Sequence, residues 1–225
     1  MTQSVRPGVK GKIGKGVMAG LDYYLDELVM LDEHPGALGS LTSDNLGPFE
    51  SKSLATLRQQ YTVGNKAIIT GGGFLVARHF RPGYGVYQTN DPAADNYVTI
   101  KSSNERVTFR ADEFPLAGMH GGFRGADPAL MFRVAEGTLE PGDVVTFTYG
   151  DVTGGGRGLQ MNSASSDYMP FPIYVDFDGS NHVYALPELH FKVSGTTVAG
   201  VHGFAPSVLR PGEIFTLSVR AQDRY

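Results

Sequence analysis

The sequence predicts an all-β protein, a two-sheet sandwich of the immunoglobulin-like or jelly-roll-like kind, preceded by one helix. Three observations lead to this prediction. Thirty Gly and thirteen Pro without a fixed period indicate many turns between short strands. Residues 139–151, LEPGDVVTFTYGD, place a Pro-Gly turn before a period-2 alternation of apolar and polar side chains, which is typical of a half-buried strand. The same pattern returns in residues 209–222, LRPGEIFTLSVRAQ.

The two copies of this pattern align over their whole length. Their Pro-Gly pairs coincide, Asp143 matches Glu213, and Thr146 matches Thr216. A strand entry that occurs twice predicts two sandwich units in series, the second of which has its opening strands here. We therefore divide the chain into a basic arm plus amphipathic helix at 1–36, a main β-sandwich at 37–185, and the start of a second, immunoglobulin-like unit at 186–225.

A helix is predicted over residues 17–33. Apolar residues recur there at helical spacing and His-Pro-Gly follows at 34–36; the stripe consists of Met18, Leu21, Leu25 and Leu28. Such a stripe packs either on its own domain or on another subunit or domain. The preceding arm, residues 1–16, carries four basic residues among Gly and Pro and is either a flexible tail or an anchor for an acidic partner.

Further strands follow from local patterns. Residues 37–53 are expected to be a turn-rich loop, and strands are predicted at 54–63, 67–80, 129–135, 168–177, 189–193 and 214–220. Residues 96–102 and 105–110 are expected to form a hairpin around Ser103-Asn104, followed by a long loop at 111–128. Pro170 and Pro172 favour an edge position for the strand at 168–177.

Composition limits the partners. A formal net charge of −4 and the lack of interleaved basic and aromatic residues argue against nucleic acid. No apolar run approaches the ~20 residues of a membrane span, and no apolar signal-peptide core follows the basic N-terminus, so the compartment is unassigned and cytoplasmic by default. The chain has no Cys, which excludes disulfides and thiolate metal sites.

A candidate ligand site lies where Arg, His and Tyr side chains concentrate, in residues 78–97. Aromatic and Arg side chains on a loop above a rigid sheet can form a binding surface for a small anionic ligand, or they can simply cover a sheet edge. Two glycine-rich loops add His120 and Arg157, the latter facing either an anion or only its own hairpin. The candidate residues are Arg78, His79, Arg81, Tyr84, Tyr87, Gln88, His120 and Arg157.

No motif assigns a reaction. The six His residues show no metal-ligand spacing, and there is no G-x-S-x-G elbow. We therefore expect no metal or other cofactor in this chain. The segment 176–181 resembles the start of a calcium loop but lacks its closing Glu, so a plain hairpin turn is the expectation. The catalytic residues are unknown, and the chain alone is expected not to be an enzyme.

Several phrases resemble the N-terminal region of the bacterial DUF3604 family. They are QQYTVGNKAIITGGGFLVA at 59–77, QTNDPAADNYVTI at 88–100, LEPGDVVTFTYGD at 139–151, VDFDG at 175–179, LPEL at 186–189 and APSVLRPGEIFTLSVRAQDRY at 205–225. The resemblance covers roughly residues 54–225 and transfers no catalytic residue. It implies a β-rich leader whose chemistry belongs to a separate phosphoesterase-like (PHP-type) domain that holds a divalent metal.

Three functions remain open at this point. The first is a non-catalytic binding or assembly module, or a subunit, of a larger metal-dependent hydrolase, with a protein partner or self-association. The second is a stand-alone β-sandwich enzyme with His79 or His120 as general base, or a small-molecule-binding protein using residues 78–88. The third is a structural, oligomerising protein that associates through the open edge of its last strand.

Overall fold

The computed structural model describes residues 30–77, 85–114 and 129–225, and within these ranges the protein is almost entirely β. Residues 30–33 are helical. The sixteen strands of the described residues are β1 (Ser40–Thr42), β2 (Phe49–Glu50), β3 (Leu54–Ala55), β4 (Leu57–Thr62), β5 (Gly73–Val76), β6 (Val98–Ser102), β7 (Thr108–Phe114), β8 (Ala129–Glu136), β9 (Val144–Tyr149), β10 (Leu159–Gln160), β11 (Ser166–Met169), β12 (Ile173–Asp176), β13 (Tyr184–Ala185), β14 (Phe191–Ser194), β15 (Gly200–Phe204) and β16 (Ser218–Gln222). The all-β prediction is confirmed.

Two main sheets form the sandwich. One has the strand order β1-β4-β9-β6, and the other has the order β13-β12-β5-β8-β7. In the first sheet, β4 and β9 pair antiparallel along their whole length. The predicted alternation is confirmed in β9, where Val145, Phe147 and Tyr149 are buried and the residues between them are only partly covered.

The two sheets meet through aromatic side chains. Phe74, from β5, packs edge-on against Phe147 of the facing sheet, with 5.1 Å between ring centroids. It also meets Tyr61 of β4 at 5.2 Å. Edge-to-face contacts of this kind contribute about 0.5–1.5 kcal/mol beyond the area that they bury. The central strands therefore hold the sandwich together.

A third, smaller sheet of order β11-β14-β2 extends the same core. Phe171 lies 5.4 Å from Tyr149 and 4.9 Å from Phe191, measured between ring centroids. Phe191 and Val193 of β14 are buried in the cluster that contains the core of the main sheets. Residues 191–194 thus pair with β2 and β11, two strands from the range predicted for the first unit, 37–185. The domain boundary at residue 186 stays a prediction.

The predicted hairpin over residues 96–110 is wrong. β6 pairs with β9 in one main sheet, whereas β7 pairs with β8 in the other. The turn at Ser103-Asn104 therefore carries the chain from one sheet to the other. Ser103 N donates to Val144 O at 2.7 Å, and the buried Val107 follows. A local turn signal alone cannot tell a hairpin from such a crossing.

Three other predictions need correction. The strand expected at 214–220 begins only at Ser218 and ends at Gln222. Residues 37–53, expected to be loop, contain β1 and β2, which pair with distant strands and are too short to give an alternation. The strand expected at 168–177 is two strands, β11 and β12, which lie in different sheets. Pro170 and Pro172 separate them, because proline has no N–H to donate to a ladder. The predicted edge position is confirmed for β11, which is the first strand of its sheet, but is wrong for β12, which lies between β13 and β5.

The predicted helix at 17–33 lies outside the described residues except for 30–33. Within that turn His34 N donates to Met30 O at 2.9 Å, and Met30 is buried in the main core. The described end of the helix therefore packs on its own domain.

Candidate functional site

The residues of the predicted ligand site fall into two groups. Tyr87, Gln88 and Arg157 are described. The remaining residues lie outside the described part of the chain, and their predicted role stays a prediction: Arg78, His79, Arg81, Tyr84 and His120. The three described residues lie where the loop at 88–97 packs on the loop at 150–158.

Gln88 organises its own loop. Its Oε1 accepts hydrogen bonds from the N–H groups of Asn90 and Asp91, both at 2.9 Å. Its Nε2 donates to the carbonyl oxygens of Asp91 at 2.8 Å and of Asp95 at 3.3 Å. A side-chain amide has two donor hydrogens and one acceptor oxygen, and in Gln88 all of them are used. Gln88 thus closes the turn, and a ligand would have to displace these bonds.

Arg157 forms a two-point ion pair with Asp95. Its Nη2 lies 2.6 Å from Asp95 Oδ2, its Nε lies 3.2 Å from Oδ1, and its backbone N–H also donates to Oδ1 at 3.0 Å. The hydrogen bond from the guanidinium lowers the pKa of Asp95. Because this fork already has a carboxylate, an incoming anion would compete with Asp95 for it.

Tyr87 belongs to the core. It is 7% exposed, and its ring centroid lies 5.4 Å from that of Tyr149. Burial raises the pKa of the Tyr149 hydroxyl well above its usual range, and the neighbouring Tyr87 raises it further. Gln59 Nε2, itself buried, donates to the Tyr149 hydroxyl and to Phe171 O, both at 3.0 Å. The structure thus brings Tyr87, Gln88 and Arg157 into one region, with Tyr87 facing inward.

The turn at 176–181 is held by a buried carboxylate. Asp176 Oδ1 accepts from Gly179 N at 2.9 Å, and Oδ2 accepts from Asn181 N at 3.0 Å. β12 and β13, on either side, pair antiparallel, so the expected hairpin is confirmed. Asp176 Oδ2 also lies 3.6 Å from Arg133 Nη1. The carboxylate oxygens of Asp176 therefore stabilise the turn itself. Within the described ranges, no three His, Cys, Asp or Glu side chains group as metal ligands.

The sequence analysis did not predict that the apolar side chains of the C-terminal hairpin are exposed. β15 and β16 form a two-stranded antiparallel sheet. Nine large apolar side chains between residues 198 and 219 are exposed: Val198, Val201, Phe204, Val208, Leu209, Ile214, Phe215, Leu217 and Val219. Folded monomers rarely expose a contiguous apolar patch of more than a few hundred Å². This hairpin is therefore the outstanding feature of the described surface.

One face of this hairpin is apolar. Val201 pairs with Ala221 and Gly203 pairs with Val219, and directly opposed residues lie on the same face. A Cβ on Gly203 would lie 3.7 Å from Leu217 Cδ1, which places Leu217 on that face too. We call the surface made by Val201, Leu217 and Val219 the hairpin face. Its residues are 65%, 58% and 63% exposed.

The opposite side of the hairpin is more polar, with Ser218 and Arg220 on β16 and His202 and Phe204 on β15. The hairpin is attached to the sandwich at its base. Asp223 Oδ2 accepts from Thr196 N at 2.9 Å and from Ser51 Oγ at 3.2 Å. These bonds fix the base of the hairpin, while its strands extend into solvent.

Comparisons with known proteins add little. The sequence matches no family model, and no curated protein matches it. Among solved structures, one similar chain is the CBM3a-L domain with flanking linkers from scaffoldin cipA of the cellulosome of Clostridium thermocellum. The likeness has a TM-score of 0.31 and 16% identity, and it covers 68% of this chain and 98% of that one. It is too slight to inform fold or function. No helix within the described residues is long and apolar enough to cross a membrane.

Proposed function

We propose that this chain is a non-catalytic assembly module that associates with a polypeptide through the hairpin face. The observation that carries the proposal is the contrast between β9 and the residues that match it in sequence, 214–219, of which only Ser218 and Val219 lie in β16. In β9 the apolar side chains are covered by the facing sheet, whereas the matching side chains Phe215, Leu217 and Val219 are 46%, 58% and 63% exposed. Burying a side chain of this size contributes about 1.5–3 kcal/mol, which favours a covering partner.

The geometry of the hairpin supports the same proposal. A two-stranded sheet is marginally stable in water unless a further layer or further strands cover it. The hairpin is attached at its base by Asp223, so a partner would meet a surface that is already positioned. Pre-positioning reduces the ordering cost of association.

Charge substitution on the two sides of β16 tests this proposal. Val219→Asp puts a carboxylate on the hairpin face, whereas Ser218→Asp puts the same group one residue away on the opposite side. We expect the first variant to lose the associations of the unaltered chain, as measured by quantitative affinity capture from the source organism, and the second to keep them. Equal capture by all three baits would contradict the assembly function.

We further propose, from the resemblance of residues 54–225 to the DUF3604 family, that the module belongs to a larger metal-dependent, phosphoesterase-like hydrolase. The partner polypeptide would hold the divalent metal, and this chain would hold none. Capture of a His- and Asp-rich partner, with phosphoester hydrolysis by the complex that a chelator abolishes, is the expected result. Recovery of only unrelated proteins would contradict it. No surface of this chain is assigned to that contact.

A further inference from the structure

We propose that a buried water molecule binds at Gln59 and joins its side-chain amide to the hydroxyl of Tyr149 inside the sandwich. Gln59 lies on β4 and is 0% exposed. Among the described residues, no N–H or O–H group donates to its Oε1. Buried acceptors without a donor are rare in native proteins, so this oxygen calls for a partner. The site is separate from the hairpin face and does not depend on the proposed function.

The orientation of the Gln59 amide is set by its neighbours. Its Nε2 donates to the Tyr149 hydroxyl and to Phe171 O, both at 3.0 Å. Exchanging the nitrogen and oxygen of the amide would turn an acceptor toward the Phe171 carbonyl, which can only accept. The nitrogen must therefore face Phe171, and the amide oxygen requires a donor of its own.

Tyr149 provides the second contact for the water. Its oxygen accepts the bond from Gln59, so its hydroxyl hydrogen requires a further acceptor. Burial keeps this hydroxyl protonated, because it raises the pKa of Tyr149 well above its usual range. The hydroxyl oxygen lies 3.0 Å from Gln59 Nε2, and the nitrogen and oxygen of one amide are at most ~2.6 Å apart. Two O–H···O bonds of ~2.8 Å each can therefore join one water to both side chains.

Water suits this site better than an ion or an organic ligand. The Gln59 oxygen needs a donor and the Tyr149 hydrogen needs an acceptor, and a water molecule supplies both. The rings of Tyr87 and Phe171 each lie 5.4 Å from that of Tyr149, between centroids, and a charged occupant among such rings would be costly. Protein interiors hold few voids larger than a water molecule. One buried water per ~27 residues is usual, so several are expected in a chain of 225 residues.

The water site lies where the sheets of the sandwich meet. Gln59 and Tyr149 belong to β4 and β9 of the first main sheet. Phe171 lies between β11 and β12, where the chain passes from the third sheet into the five-stranded one. The bound water thus completes the hydrogen bonds that hold this connection against the first main sheet.

A crystal structure of the full chain, at a resolution that shows ordered water, tests the inference directly. We expect a water within hydrogen-bond distance of both Gln59 Oε1 and the Tyr149 hydroxyl. Magnetic relaxation dispersion of the water signal counts the long-lived internal waters in solution. Gln59→Leu should lower that count by one. Gln60→Leu, the same substitution at the adjacent, exposed position, should leave the count unchanged.

Two results would overturn the inference. One is a crystal structure of the unaltered chain in which a protein N–H or O–H group, an ion or no density at all stands beside Gln59 Oε1. The other is an equal count of long-lived waters in the unaltered chain and in a folded Gln59→Leu variant. If that variant does not fold, the density beside Gln59 in the unaltered chain decides the question alone.

Discussion

Phe147 and Leu217 occupy equivalent positions in two copies of one strand pattern, yet Phe147 is fully buried and Leu217 is 58% exposed. The difference lies in what covers each residue. β9 is covered by the five-stranded sheet through Phe74, whereas the hairpin has no such cover among the described residues. This relationship underlies the proposed function and the first prediction below.

The first prediction compares these two positions directly. Phe147→Ala should lower the free energy of unfolding by about 3–5 kcal/mol, because it opens a cavity in the core. Leu217→Ala should change it by less than ~0.5 kcal/mol in the monomer, as is usual for exposed sites. Urea denaturation at a concentration below association would measure both. A similar loss for the two variants would contradict the contrast in burial.

A second prediction concerns two turn glycines. Gly142 and Gly150 both have positive φ, 92° and 65°, but they differ in the space around them. A Cβ on Gly150 would come within 2.0 Å of Leu159 N, whereas nothing lies within 4 Å of one on Gly142. Gly142→Ala should cost about 1 kcal/mol of backbone strain, and Gly150→Ala distinctly more. Equal thermal unfolding midpoints for the two variants would contradict this prediction, because they would mean that the backbone near Gly150 shifts to make room for the added Cβ.

A third prediction concerns the ion pair between the two loops. The hydrogen bond from Arg157 holds the pKa of Asp95 below its usual range, so Arg157→Ala should raise that pKa toward the ordinary value of an aspartate. A lowered carboxyl pKa stabilises the fold above the unfolded-state value, and that contribution disappears as pH falls through the folded-state value. NMR titration of Asp95 in both proteins would show the shift. An unchanged pKa would mean that Arg157 does not hold the carboxylate in solution.

A fourth prediction concerns the base of the hairpin. N–H donors of Thr196 and Tyr225 lower the pKa of Asp223, so its acceptor role should weaken only as pH falls through this lowered value. Asp223→Ala should speed amide hydrogen exchange in residues 195–222 at neutral pH and leave β9 unchanged. Arg224→Ala is the neighbouring control. Equal exchange in both variants would remove the role given to Asp223.

The strands were predictable where burial is periodic. Val145, Phe147 and Tyr149 alternate with less buried residues, and the structure buries all three. Strand pairing was not predictable in the same way, because the ladder joining β4 and β9 connects residues far apart in the chain. The turn at Ser103-Asn104 was recognised, but a turn signal does not say in which sheet the next strand lies.

The candidate site was predictable only in part. Composition drew attention to Tyr87, Gln88 and Arg157, and the structure gathers them. Composition could not show that Tyr87 points into the core, or that Arg157 pairs with Asp95, 62 residues away in sequence. The repeat at 209–222 did contain a signal for the hairpin face. Its apolar positions match buried ones in β9, but the missing cover is visible only in three dimensions.

A tryptophan reporter on the hairpin face tests the central claim most directly. The chain has no Trp, so Val219→Trp gives one emission signal from the hairpin face, and Ser218→Trp gives a matched signal from the opposite side. We predict that emission from position 219 shifts to shorter wavelength when captured partners are added, while emission from position 218 stays that of an exposed indole. Emission from position 219 that remains that of an exposed indole with captured partners present would contradict the account.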